Sequence, residues 1–205
     1  MTDQTKYVIM FIRKKKYKKL LMEVKFLRSE LEYQEAVLSD AHLEFDVYYR
    51  EWCEKNDIDL ALLNKQSSNR VEKIFSSSEE KLTEIEKKPE KKEEKKMNKL
   101  YRQLAKELHP DKNEGDDKIF KTINSAYENG DWSILLEKAL EMGIEPDNLA
   151  EITPLLKQEA EVLRQKIQRN NDMYSWKFYE CEGDEECITE LVKGFLKHLF
   201  NLEVK

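Results

Sequence analysis

Glycine, proline and cysteine are all scarce in this chain of 205 residues, at five, four and three. Neither glycine nor proline occurs between Met1 and Lys88, a run that favours continuous helix. Charged residues make up 38% of the chain, which with so little glycine favours long exposed helices over a compact sheet protein. The cysteines, Cys53, Cys181 and Cys187, are an odd and sparse set. They argue against a disulfide framework and fit a reducing compartment. No second Cys or His pair lies at zinc spacing and His42 and His198 stand alone, so no metal or cofactor is expected.

Long apolar runs are missing too. Val8–Ile12 is too short for a membrane span, and its charges, Arg13 to Lys16, follow rather than precede it as a signal segment would require. The expectation is a soluble cytoplasmic protein with no membrane partner. No G-x-x-x-x-G-K-[ST] phosphate loop occurs, which argues against ATP hydrolysis by this chain itself. A net charge of -6 argues mildly against bulk nucleic-acid binding, although local basic faces can still act.

What is present is helical periodicity. Leu20, Val24, Leu27, Leu31, Gln34, Leu38, Ala41, Phe45, Tyr48 and Trp52 alternate in steps of four and three, as a coiled-coil seam does. A helix from Tyr7 to Glu54 would be roughly 70 Å long at 1.5 Å per residue, and its seam needs a partner. A second seam runs through Leu156, Ala160, Leu163, Ile167, Asn170 and Tyr174, beyond a joint bracketed by Pro146 and Pro154. Gln34 and Asn170 are polar seam positions able to set register. An aromatic cluster (Tyr174, Trp176, Phe178, Tyr179) and a last helix with Ile188, Leu191, Val192, Phe195 and Leu199 inward close the chain. The fold class expected is all-α: a long antiparallel coiled-coil hairpin with a helical pair inserted at its tip. The division expected is 1–75 for the long helix, 76–94 for a charged linker, 95–145 for the inserted segment and 146–205 for the returning and terminal helices.

The most informative stretch is Lys95–Asp131. On a first helix Met97, Leu100, Tyr101, Leu104 and Leu108 share one side, while Lys95, Lys99, Arg102 and Lys106 line the other. Pro110 disfavours the α conformation at His109, so this helix should stop near Leu108. Asp116 or Asp117 can cap a second helix carrying Phe120, Ile123, Ala126 and Tyr127, with Gly130 at its end. Asp131 can then cap a third, with Trp132, Leu135, Leu136, Ala139 and Leu140, ended by Gly143.

Tyr101-Arg102-Gln103-Leu104-Ala105-Lys106-Glu107-Leu108-His109-Pro110-Asp111-Lys112-Asn113, followed by Phe120, Ile123, Ala126 and Tyr127, resembles the centre of the J domain of DnaJ or Hsp40 co-chaperones. The resemblance implies two antiparallel helices holding a His-Pro-Asp loop at one end. It further implies that the loop and the basic helix face dock on an Hsp70 ATPase domain and stimulate ATP hydrolysis there. Carried over position by position, the Hsp70-binding residues are His109, Pro110, Asp111, Lys95, Lys99, Tyr101, Arg102, Lys106, Lys112 and Asn113. The family's opening helix has no counterpart: no Leu-Gly pair occurs in the chain. The third helix, with part of the long one, is expected to take its place. His109 is read as a contact residue and not as a base, because no motif sets a nucleophile or metal beside it. The chain is thus expected to be a non-enzymatic co-chaperone whose coiled coil spaces the J-like segment, binds a client, or pairs two copies. The rival reading is a scaffolding coiled-coil protein with a degenerate J-like segment.

Overall fold

The computed structural model describes residues 3–67, 91–109, 117–144, 146 and 149–204. Among these residues there are eight helices and no strand. They are α1 (Asp3–Lys55), α2 (60–67), α3 (Lys91–Glu107), α4 (Asp117–Asn129), α5 (Trp132–Glu141), α6 (Leu149–Asp172), α7 (Tyr174–Glu180) and α8 (Glu185–Phe200). The all-α expectation is met. Most of the 76–94 linker lies outside the described residues, but 91–94 belong to α3, two residues past Pro89. Among the described residues no helix is long and apolar enough to cross a membrane.

The chain divides into two compact units, Met1–Ser29 with Lys87–Arg164, and Glu30–Glu86 with Gln165–Lys205. In the first, α3, α4 and α5 pack pairwise. Met97, Leu100 and Leu104 of α3, Ile123 and Ala126 of α4, and Trp132, Leu135, Leu136 and Ala139 of α5 are the buried apolar residues of these three helices. Tyr17, Leu21 and Val24 of α1 are buried in the same unit, as are Ile152, Leu155, Leu156, Ala160 and Leu163 of α6. Leu140, also on α5, is exposed, one residue before that helix ends. Pro154 sits inside α6 rather than ahead of it. Having no N–H, it leaves the Ala150 carbonyl without its usual i+4 donor.

A polar clamp ties the first unit together. Arg28 of α1 donates from Nε to Glu159 Oε1 of α6 at 3.1 Å, and its Nη2 reaches both Glu159 and Asp131 Oδ1, the latter at 3.0 Å. Glu159 also accepts from Ser133 Oγ at 2.6 Å and from the Ser133 backbone N–H at 3.2 Å. Asp131 therefore occupies the N-cap position of α5 without making the expected cap bond, since its carboxylate faces Arg28. Glu159 satisfies one orphan donor of that helix end instead. Burial works against the Arg28 charge, while Glu159 and Asp131 outweigh it and hold the guanidinium above its ordinary value. Lys25–Glu137 and Glu23–Arg164 add surface ion pairs within the unit.

The second unit is built on aromatic packing. Phe195 of α8 lies 5.1 Å from both Phe45 and Tyr49 of α1 and 4.8 Å from Tyr174 of α7, between ring centroids. Around this contact Cys53, Cys181, Ile188, Val192 and Leu196 form the core. Gln34, buried, donates to Asn171 Oδ1 at 2.7 Å, so its partner on α6 is the neighbour of Asn170. Asp184 caps α8 by accepting from the Cys187 N–H at 2.7 Å.

Two expectations are corrected here. Cys181 and Cys187 are joined in a disulfide, with Cα atoms 5.7 Å apart, and only Cys53 is free. The turn between α7 and α8 places Glu182 and Gly183 at φ of 49° and 84°, which folds the two cysteines together. The cysteine argument for a reducing compartment therefore lapses. Along α1, the buried positions are Tyr17, Leu21, Val24, Gln34, Leu38, Ala41, Phe45, Tyr49 and Cys53, whereas Leu20, Leu27, Leu31, Tyr48 and Trp52 are only half-buried. They recur at the 3.6-residue period of a straight helix, which drifts by about 20° per heptad from a 3.5-residue seam.

Tyr17 is buried with no hydrogen-bond partner for its hydroxyl among the described residues, and burial pushes its pKa up to about 12. Tyr17→Phe should raise stability by about 1 kcal/mol, because it removes an unsatisfied buried hydroxyl. A phenol whose folded pKa is raised contributes stability below its ordinary pKa of about 10 and loses it as pH climbs toward 12. The variant should lack that alkaline loss in urea titrations run across this window; an unchanged alkaline limb contradicts the assignment. Glu159→Ala should cost about 3 kcal/mol in the same assay, because it leaves the half-buried Arg28 short of its main counter-charge. A cost within about 0.5 kcal/mol, the usual scale of a surface substitution, contradicts the clamp.

Candidate functional site

The candidate site is built on α3 and the segment that follows it. The last backbone bond of the α3 ladder runs from the Leu108 N–H to the Leu104 carbonyl at 2.8 Å, and His109 follows outside the helix. The stop falls where Pro110 requires it. On α3 the buried Met97, Leu100 and Leu104 turn toward α4 and α5, which leaves Lys99, Arg102 and Lys106 exposed on the opposite side. Asn98, Lys99, Arg102, Gln103 and Lys106 line a shallow groove of about 530 Å³ there. Lys95 lies in α3, and its side chain lies outside what is described.

Three contacts fix the angle between α3 and α4. The Tyr101 ring stacks on Tyr127 with centroids 4.2 Å apart, and its hydroxyl donates to Asn124 Oδ1 at 2.9 Å. Asn98 Nδ2 in turn donates to the Tyr127 hydroxyl at 3.1 Å. Tyr101 thus sits in the joint between the helices, half-buried, while the three described cations lie on the outer face. Tyr127 also meets Trp132 edge-on at 6.1 Å, which carries the same packing on into α5.

At the loop end the His109 ring meets the Phe120 ring edge-on, with centroids 5.6 Å apart. This contact ties the residue past the end of α3 to the first turns of α4. Pro110, Asp111, Lys112 and Asn113, with Gly115 and Asp116, lie outside the described residues. The structure therefore brings His109, Lys99, Arg102 and Lys106 onto one helix and its end, with Tyr101 behind them. Sequence reasoning missed Asn98 and Asn124 as residues that set this geometry, and named Phe120 only as a helix-face and motif residue. Their signal was their place one helical step from Tyr101, Tyr127 and the loop.

Chemically, the arrangement presents fixed positive charge and a histidine at a helix end. Among the described residues no group of three or more His, Cys, Asp or Glu could hold a metal ion. Such a surface can orient an acidic partner, and its charges act mainly on association rate and register.

Comparison with known proteins agrees with this geometry. A DnaJ domain family model matches residues 84–129, from ahead of α3 to the last residue of α4. No curated protein and no solved structure matches the chain. The match takes in α3, the His109-Pro110-Asp111 tripeptide and α4, and stops before α5. The likeness to a DnaJ domain thus covers residues 84–129, under a quarter of the chain.

Proposed function

We propose that this protein is a J-domain co-chaperone that recruits an Hsp70 and stimulates its ATPase. The observation that carries the reading is the line of Lys99, Arg102 and Lys106 along the outer face of α3, ending at His109 within the matched domain. Lys95 extends the line by one helical step, and Lys112 and Asn113 continue past the loop by resemblance. Pro110 stiffens the turn, and Asp111 offers a carboxylate to a basic side chain of the partner. Tyr101 holds the prong's two helices at their angle. The proposed mechanism is differential binding: contacts that favour the partner's hydrolysis-competent state shift its population toward that state. In this reading the ATP is hydrolysed by the partner, and the chain acts by binding. A cytoplasmic site of action, where an ATP-driven Hsp70 works, belongs to the same proposal.

The remaining helices either space the domain from a client or bind the client themselves, and a second copy of the chain is the other partner considered for α1. The division into 1–75, 76–94, 95–145 and 146–205 describes these roles rather than the packing, since α1 and α6 each contribute to two units.

In a single-turnover ATPase assay with the Hsp70 of the same cell, the intact chain should accelerate hydrolysis. His109→Gln and Asp111→Asn should each return the rate to the partner's basal value, with an unchanged far-ultraviolet spectrum. The stimulation should also weaken as salt rises, since charges in the exposed face are screened over about 10 Å at 0.1 M. Full acceleration by either variant removes the assigned role of the loop and leaves the scaffolding reading.

A further inference from the structure

The first half of α1 carries a feature that the J-domain role does not use. From Gln4 to Met22 there is no acidic residue, while Lys6, Arg13, Lys14, Lys15, Lys16, Lys18 and Lys19 are all cations. This segregation occurs in a chain whose net charge is -6. Within the first unit, α1 buries only the line through Tyr17, Leu21 and Val24. At about 100° per residue the opposite line runs through Val8, Phe11, Ile12, Lys15, Lys19, Met22 and Phe26. The apolar members of that line are exposed to 53%, 52%, 46%, 73% and 66% for Val8, Phe11, Ile12, Met22 and Phe26. The Lys15 ammonium lies over the Phe11 ring, 5.4 Å from its centroid.

We propose that this face of α1, Val8 to Phe26, binds the surface of an anionic lipid bilayer. Scattered single apolar side chains on a surface need no explanation, but five along one line of one helix do. A second copy of the chain is a poor occupant, because antiparallel or parallel pairing would set Lys15 and Lys19 against their equivalents. Nucleic acid would neutralise the lysines and leave Val8, Ile12, Met22 and Phe26 in contact with water or phosphate. A bilayer interface accommodates both kinds of side chain at once. The apolar groups enter the acyl boundary while the lysine stems lie along it and their ammonium groups reach the phosphates. From Tyr17 to Val24 the rest of the first unit packs on the other side of the helix; ahead of Tyr17 the helix is exposed on most sides, Tyr7 and Met10 included, so nothing in that unit obstructs the stripe, about 27 Å long. This is interfacial binding, which the shortness of Val8–Ile12 does not oppose, since that argument concerns only spanning.

The test is flotation of the full chain with phosphatidylcholine vesicles and with vesicles containing about 30% phosphatidylserine. The protein should float with the anionic vesicles and stay behind with the neutral ones. The double change Lys15→Glu with Lys19→Glu should weaken anionic binding by roughly tenfold or more. The double change Phe11→Ser with Phe26→Ser should also weaken it, at unchanged helicity, because both side chains are exposed in the fold. Phe26→Trp, excited selectively by difference against the parent chain, should shift its emission to the blue on adding anionic vesicles. Equal flotation with neutral vesicles, no flotation with either, binding unaltered by the lysine changes, or a Trp emission that does not move overturns the proposal. A mobility shift with DNA that is lost together with those lysines, without vesicle binding, also overturns it and assigns the face to nucleic acid.

Discussion

The contact on which the first unit depends is the carboxylate of Glu159 held between Arg28 and Ser133. It joins α1, α5 and α6 through a single side chain, and Asp131 takes the remaining reach of the guanidinium. Charge taken out of water is tolerable only where it is paired and its lone pairs are used. Each of the four groups meets that condition here through the others, so the arrangement admits few alternatives. Nothing in it touches the candidate site. Its effect is to fix where α5 lies, and α5 in turn closes the apolar sides of α3 and α4.

That closure bears on how the α3–α4 pair is held. The pair α3 and α4 leaves Met97, Leu100, Leu104, Ile123 and Ala126 needing cover, and Trp132, Leu135, Leu136 and Ala139 of α5 pack in the same core. The Tyr101–Tyr127 stack and its Asn98 and Asn124 hydrogen bonds then set the angle of the prong from inside. The inner faces of α3 and α4 are thus committed to packing, and Lys99, Arg102 and Lys106 are exposed on the outer face of α3. The same separation of a packed line from an exposed basic one recurs on the first half of α1, in a different mixture with apolar side chains.

The helices themselves were legible in the sequence because their apolar periods are strong: the faces of α3, α4 and α5 follow from spacing alone, as does the stop before Pro110. The heptad reading of α1 named the right helix but drifted off its packed line at both ends. Tyr17, Leu21, Tyr49 and Cys53 are buried where Leu20, Tyr48 and Trp52 were expected, because a straight helix keeps 3.6 residues per turn. The clamp was not legible, since no local pattern links Arg28 to residues more than a hundred positions away. Nor was the pairing of Cys181 with Cys187, which depends on the backbone of Glu182 and Gly183 and not on cysteine count. For the site, the exposed Lys99, Arg102 and Lys106 and the place of His109 past the end of α3 follow from the sequence pattern, whereas the tyrosine stack between α3 and α4 needed coordinates.

The most direct measurement of the central claim is amide hydrogen exchange on the chain with and without residues 1–29. If α1 and α6, clamped through Arg28 and Glu159, hold α5 over the J-domain pair, the truncated chain should lose protection throughout α3, α4 and α5. Protection in α3 and α4 equal to that of the intact chain would show that the pair stands alone and would contradict the account.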